Sequence, residues 1–399
     1  MTAEAPRVAD VVPSLKLRGA EVFVQQLESV LRDKYNFRLF TLYNEGNPLP
    51  VGGRHLDISR GVSQGPGRRL RAALDLRRRV TAFGPRVIHV RGGDPLRLCV
   101  LAGLHRIAPL VYVRISEVPS NLRTPLRTLS IRAAYARVSV FVAVSESLRR
   151  EMVEVFGIPP ERIEVIPTGR LGPPLPSSEE TSTIRDEVGA RPGGPLVSWV
   201  GRLSAEKNPE AALAVARHLE KLAPEATLVV VGDGPLEQTI RARAGSNVTF
   251  AGARPDAARI IAASDILLST SAHEGLPGVV VEALLSGVPV VANDVGGIGE
   301  AITDGETGLL VPASSREALA RAVVRIAHDP ALRARMAEKA RRSAQRFEMG
   351  TVSEEYDLLY RKLGVLASGE DQRLTHTRRP PPRTDATSEP DAKDSQPPA

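Results

Sequence analysis

Four charged residues in the second half of the chain stand where they could do chemistry together. Arg202 and Lys207 lie in Gly201-Arg202-Leu203-Ser204-Ala205-Glu206-Lys207-Asn208, and Glu274 and Glu282 in His273-Glu274-Gly275-Leu276-Pro277-Gly278-Val279-Val280-Val281-Glu282. Gly201 follows the apolar run 196–200 (LVSWV), so the backbone can turn tightly and two cations emerge beyond a strand end. A guanidinium there can grip a diphosphate in bidentate fashion, and an ammonium can serve as a point charge. An ordinary strand-to-helix loop with solvated charges reads the same way, so this segment alone is weak. The second segment is stronger. A strand ends near Ser269, Pro277 suits the first turn of a helix, and Gly287 suits its end. That helix is oily apart from Glu282, and a lone carboxylate on a buried helix is costly unless hydrogen-bonded. Glu274 lies just before the helix start, where backbone N–H groups and the helix dipole favour an anion. Two acceptor-only carboxylates flanking such an end suit a ligand with hydroxyls at both ends and phosphates between, as in a nucleoside diphosphate sugar. The structural alternatives are a capping role for Glu274 and a half-exposed surface position for Glu282.

Two further segments are glycine-rich. In Asp294-Val295-Gly296-Gly297-Ile298-Gly299-Glu300 the pair Gly297 and Gly299 could open a dinucleotide fingerprint, but the third glycine position is Ile302. No acidic residue follows at the required distance either, so the match fails. Close approach of backbone to a ligand remains a use for that loop. Gly232-Asp233-Gly234-Pro235 reads as a turn with at most an indirect role.

Strands and helices must bring these loops together. Apolar runs at 7–12, 37–42, 86–90, 110–114, 138–143 and 162–166 alternate with helix-length segments such as 20–34 and the very basic 67–83. A Pro- and Gly-rich stretch, 168–196, reads as an interdomain connection holding one short helical turn. The alternation then restarts with strands at 196–200, 227–231, 247–250, 265–269, 288–292 and 308–311. Continuous apolar strands separated by helices imply parallel sheets covered on both faces. The fold class is therefore α/β, with two doubly wound Rossmann-like domains facing across a cleft: residues 1–168, a linker 169–195, and residues 196–347. Helices are expected at 331–347 and 352–364; the last, within 348–366, is expected to cross back to the first domain. The polar, proline-rich tail 367–399 cannot bury enough surface to fold.

Composition bounds the function. At 399 residues, 42% hydrophobic and 25% charged, the chain fits a two-domain globular protein. The single Cys99 excludes an internal disulfide and gives no zinc spacing. The N-terminal residues lack a basic region followed by a long apolar one, so no signal peptide is read and a cytoplasmic location is expected. Charge is uneven: residues 1–180 carry 27 Lys and Arg against 17 Asp and Glu, a net +10, and the remainder nets −3. A basic first half can attract an anionic or lipid-linked acceptor, although Arg on solvated helix faces is an equal explanation. Segment 117–137 could lie on an anionic membrane at its inner face, or be a solvent-facing helix over the cleft. Only 4% of residues are aromatic, which leaves no stacking platform for single strands, so no nucleic acid is expected as a partner.

Taken together, the segments resemble the retaining glycosyltransferases of GT-B fold known as family four, or glycosyl transferases group 1, over about residues 7–364. The signature is a glutamate, seven residues and a second glutamate, here Glu274 and Glu282. GRLSAEKN, GDGP, SDILLSTSAHEGLP and DGETGLLVP fall in the family's order. VVPSLKLRGAE looks like the family's strand and glycine-rich turn, and VAVSESLRREM with VIPTGR like its domain-closing segment. The resemblance implies an enzyme of polysaccharide or glycolipid synthesis that uses a nucleotide sugar as co-substrate, with no cofactor and no metal. It implies that Arg202 and Lys207 hold the diphosphate, that Glu274 accepts from the sugar hydroxyls and that Glu282 binds the ribose. Gly201, Gly275, Leu276, Gly278 and Val279 would line the donor, and Gly19 would approach it from the first domain. The family's first glycine of that turn is Arg18 here, and its asparagine after Ile-Pro is Thr168. Where many members carry a histidine after a first-domain strand, LVYVRISEV offers Arg114, the acceptor-side candidate. No two aspartates lie two positions apart, so the Asp-x-Asp metal site of the other major transferase fold is absent. No carboxylate pair is placed as acid and nucleophile of a hydrolase. The competing reading is a GT-B protein that binds nucleotide sugar as an epimerase-like enzyme or an inactive partner subunit.

Overall fold

Runs of Val, Ile and Leu become strands because helices cover both faces of the sheets they enter. Val87–Arg91, Leu110–Arg114 and Thr227–Val231 are buried at every residue. The structure is a computed structural model and describes residues 5–14, 19–43, 55–57, 66–117, 131–313 and 315–365. The first sheet contains β1 (Arg7–Ser14), β2 (Asn36–Tyr43), β3 (His55–Asp57), β4 (Val87–Arg91), β5 (Leu110–Arg114), β6 (Val140–Ala143) and β7 (Ile163–Val165), ordered β3-β2-β1-β4-β5-β6-β7. The second contains β8 (Leu196–Val200), β9 (Thr227–Val231), β10 (Val248–Gly252), β11 (Ile266–Ser269), β12 (Val290–Asn293) and β13 (Gly308–Val311), ordered β10-β9-β8-β11-β12-β13. Every described strand pairing is parallel. Strand order reverses between β1 and β4 and between β8 and β11. Those reversals are the points at which loops diverge and an open α/β sheet takes its ligand.

Two elements differ from the sequence reading. β3 is a three-residue edge strand against β2, too short to announce itself by apolar content. The connection holds a full helix, Ser178–Glu187, rather than a turn. Ser177 accepts from the Glu180 N–H while the Glu180 carboxylate accepts from the Ser177 N–H, a reciprocal cap that starts the helix. Its Ile184, with Val188 just beyond, packs on Leu196, Val229 and Ile260 beside the second sheet.

The helix Met349–Lys362 lies on Gly19–Leu31, beside the first sheet. Tyr356 packs on Phe23 at 5.7 Å between centroids, and the Tyr35 hydroxyl donates to Asp357 Oδ1 at 2.6 Å. Beneath it lies a fully buried polar group: Asp10 on β1, His89 and Arg91 on β4, and the rings of Tyr356 and Tyr360. Arg91 Nε is 3.7 Å from Asp10 Oδ1, and its guanidinium lies over Phe23. Segment 117–137, with its expected membrane contact, and the tail 367–399 fall largely outside the described residues. Among the described residues no helix is long and apolar enough to cross a membrane.

Burial raises Asp10 from the usual carboxylate range to about 6, and the nearby Arg91 opposes the rise. A carboxyl that holds its proton more tightly in the fold contributes stability below its unfolded value of about 4, and that contribution is lost as pH rises through about 6. Asp10→Asn should remove this dependence. Urea unfolding across that window should show wild type losing ground to the variant as pH rises; a constant difference would show that Asp10 titrates normally.

Candidate functional site

The loops after β8 and β11, on either side of the second sheet's reversal, carry Arg202, Lys207 and Glu274. The β8 loop is held in three ways. Gly201 N–H donates to Val231 O at 3.0 Å and Leu203 N–H to Asp233 O at 2.7 Å, so the Gly232-Asp233-Gly234 turn props it. Both glycines have positive φ, and a Cβ on Gly232 would stand 2.0 Å from Gly201 O. The turn's role is thus indirect and depends on glycine. The Trp199 indole N–H donates to the Thr270 hydroxyl at 2.9 Å, and that hydroxyl reaches the carbonyls of Lys207 and Asn208. The Asn293 amide donates to the Thr270 and Ser271 carbonyls, which ties in β12.

This frame brings the Lys207 ammonium onto Glu274 Oε1 in an ion pair, with the carboxylate buried and the ammonium partly exposed. Trp199, Ser271 and Val279 line the small space beside the pair. Arg202 is exposed on the same loop, and Gly201 lies against Trp199 and Lys207. Glu274 does not cap the helix that follows. Gly278–Ser286 starts after Pro277 without any side-chain cap, and it ends at Gly287 with φ 73°. Its first-turn N–H groups face an end with no built-in anion. Glu282, half-buried on this helix, receives a hydrogen bond from Arg170 Nε at 2.9 Å. Burial raises its carboxyl above the usual range, and the Arg170 cation opposes that.

The expected donor-lining residues fall along a seam between the two sheets' domains. Gly19 opens the helix Gly19–Leu31, and its carbonyl accepts from Arg170 Nη2 at 3.1 Å; Arg18 lies outside the described residues. A Cβ on Gly275 would stand 2.3 Å from Ile115 O, and one on Gly297 would stand 2.7 Å from Ser145 Cβ. The Leu276 carbonyl accepts from the Thr168 hydroxyl at 3.0 Å. Glu300 crosses the seam, accepting from the Glu146 and Ser147 N–H groups at 2.8 and 2.7 Å and capping the first-domain helix Glu146–Glu154. Sequence reasoning singles out neither Arg170 nor Glu300. Neither sits at a telling spacing from its partner; their only signal is membership of VIPTGR and of the Gly296-Gly297 loop.

Arg114 stands at the end of β5 with Gly92, Gly93, Tyr112 and Ser116 around a cavity of ≈ 180 Å³. Its guanidinium donates to Glu151 Oε2 and the Tyr135 hydroxyl, each at 2.8 Å, and lies over Phe156. The pair is nearly dry, at 4% and 8% exposure. Among the described residues there is no group of three or more His, Cys, Asp or Glu placed to hold a metal ion.

Two doubly wound domains, with Glu274 in the loop before an uncapped second-domain helix and Glu282 on that helix, have the GT-B architecture. Models of known families agree: residues 17–170 match Glycosyltransferase Family 4, and residues 180–343 match Glycosyl transferases group 1. The chain is 30% identical over 266 residues to an alpha-D-kanosaminyltransferase of Streptomyces kanamyceticus, covering 63% of this chain and 68% of that one. It is 30% identical over 237 residues to a D-inositol 3-phosphate glycosyltransferase of Nocardia farcinica, covering 55% of this chain and 51% of the relative. In structure it is similar to Anabaena HepE, solved with UDP-glucose, with a TM-score of 0.76 at 22% identity over 89% of this chain and 99% of the other. The chain belongs to the group 1 glycosyltransferases and has the GT-B fold.

Removing one partner of a dry ion pair leaves the other charge buried, at a cost of about 3–5 kcal/mol. Arg114→Ala should therefore lower stability by about that amount, measured by chemical denaturation. A loss of activity at unchanged stability would instead place Arg114 against substrate.

Proposed function

We propose that this enzyme moves a sugar from a nucleoside diphosphate sugar to an acceptor, with retention at the anomeric carbon and without a metal ion. The observation that carries this reading is the pairing of Glu274 with Lys207 and of Glu282 with Arg170 beside one uncapped helix, at the sheet's reversal. In the reaction Arg202 and Lys207 take the diphosphate oxygens. Lys207 gives up Glu274, which is then free to accept from the sugar hydroxyls. Glu282 takes the ribose hydroxyls. Backbone around Gly275, Leu276, Gly278 and Val279 supports the sugar and phosphates, and Gly19 closes from the first domain. As the bond between sugar and phosphate breaks, negative charge grows on the departing diphosphate, where fixed cations and a helix start stabilise it. The acceptor hydroxyl attacks the face the phosphate leaves, and its proton passes to the leaving phosphate oxygen.

The acceptor is proposed to be anionic or lipid-linked. The helix Pro66–Phe83 supports this by exposing Arg68, Arg69, Arg71 and Arg78. A relative named for D-inositol 3-phosphate makes a phosphorylated acceptor a reasonable first choice. A cytoplasmic enzyme touching the inner face of a membrane peripherally is consistent with that surface.

A thermal-shift screen of UDP, GDP, ADP and TDP sugars should stabilise wild type with one donor and not Arg202→Ala. UDP sugars come first, because the structurally similar HepE was solved with UDP-glucose. Arg202→Ala or Lys207→Ala should lower turnover by about 10²–10³; a wild type that no donor stabilises would sink the reading. With the cognate donor, the acceptor's KM should rise with added salt, as screening of an anionic acceptor requires. Salt-independent turnover would count against the charged acceptor.

A further inference from the structure

Arg170 lies outside the β8 loop that carries both expected cations, yet its side chain meets Glu282, Gly19 and Gly278. Its backbone is fixed where the chain crosses between domains: its N–H donates to Phe347 O at 2.9 Å, and its carbonyl accepts from Met349 N–H at 2.8 Å. The two crossings, at residues 170 and 348, run side by side as a parallel bridge. From there the side chain, 2% exposed, reaches both domains. Nε donates to Glu282, Nη1 to Gly169 O at 2.9 Å and Nη2 to Gly19 O at 3.1 Å.

The position of the guanidinium is set by two glycines. A Cβ on Gly278 would stand 1.9 Å from Nη2, and one on Gly19 would stand 3.3 Å from it. The cation is therefore seated between the start of the uncapped helix and the start of the first-domain helix Gly19–Leu31. A guanidinium has five N–H groups, and three are used, so two remain for phosphate oxygens without breaking any existing bond. Charge balance points the same way. Arg202 and Lys207 only offset Glu274 and Glu282, and Glu206 on the same loop is within reach of both cations, so a dianionic group needs a further positive charge.

We propose that Arg170 is a third cation of the nucleotide site, fixed at the interdomain crossing, which holds Glu282 for the ribose and donates to the diphosphate at the start of the Gly278 helix. This rests on the nucleoside diphosphate reading above. Arg170 is then a binding residue that also joins the domains, because a diphosphate held by it is gripped between the start of the Gly19–Leu31 helix and the second-domain helix.

Calorimetry separates the phosphate contact from a packing role. Binding of UDP, GDP, ADP and TDP and of the matching nucleosides is measured on wild type, Arg170→Met and Arg170→Lys. For the diphosphate that binds wild type, Arg170→Met should weaken binding by about 10- to 100-fold more than it weakens the nucleoside, as loss of charge-assisted bonds predicts. Arg170→Lys should recover part of that ratio, since it keeps the charge and loses the fork. Should Arg170→Met fail to fold, the ratio is read from Arg170→Lys, which should still favour the diphosphate less than wild type does. Equal weakening of diphosphate and nucleoside, or no change in either, would overturn the phosphate contact. Tighter diphosphate binding in Arg170→Met would also overturn it, since the guanidinium would then be standing in the phosphate's place. A wild type that binds none of the four diphosphates refutes the underlying reading, and this inference falls with it.

Discussion

A carboxylate can be kept in a half-dry seam only if a cation or several donors share its charge, and that constraint organises this cleft. Glu274 and Glu282 each lie against a positive side chain, Lys207 in one case and Arg170 in the other. Neither pair can be pulled apart cheaply, because an uncompensated charge would remain in a poorly solvated seam. A nucleoside diphosphate sugar offers both halves of an exchange: phosphates for the cations and hydroxyls for the carboxylates. A ligand with only one kind of group leaves part of the site unpaired. On the nucleotide-sugar reading proposed above, selectivity for a molecule that is anionic in the middle and hydroxylated at both ends follows from that charge arrangement.

Glycine makes the exchange geometrically feasible. Across the seam an added Cβ on Gly275 would lie 2.3 Å from Ile115 O and one on Gly297 2.7 Å from Ser145 Cβ, while within the second domain the Gly297 Cβ would lie 1.9 Å from Gly275 O. The second-domain loops therefore come against the first domain at positions where no Cβ fits. Glu300 then closes the contact electrostatically by occupying the N-terminus of the Glu146 helix, which otherwise has only its own Ser145 as a cap.

Much of this is legible in the sequence for a definite reason. Parallel strands buried on both faces must be continuous apolar runs, so Leu196–Val200 or Thr227–Val231 can be placed within a residue or so. The loops that follow them carry charged residues and glycines at short offsets from the strand ends, which is why Lys207, Glu274 and Gly278 stand out from residue types and spacing. What stays hidden is contact between segments far apart in the chain. Arg170 and Glu282 are separated by 112 positions, and Glu300 and Ser147 by 153, and no local period reports such a pairing. The edge strand His55–Asp57 escapes for the opposite reason: three residues that pair on one side need no apolar run. The helix Ser178–Glu187 reads as a mere turn because its Pro- and Gly-rich flanks outweigh the Ser177 and Glu180 cap.

The crossing at Arg170 also connects the cleft to a helix that no motif marks. The backbone of Arg170 is bonded to Phe347 and Met349, and Met349 begins the helix whose Tyr356 and Tyr360 cover Asp10 and His89 on the first sheet. The side chain that meets Glu282 thus springs from a point fixed by that docking. Slippage of the helix along Gly19–Leu31 would move Phe347 and Met349, with them the Arg170 backbone, and so the guanidinium between Gly19 and Gly278. A buried polar cluster is a costly way to attach a helix if attachment alone matters, since apolar packing does it more cheaply. The bond from the Tyr35 hydroxyl to Asp357 on the same helix is directional, unlike apolar packing, and favours one register, and the close approach of Gly278 to the guanidinium narrows it further.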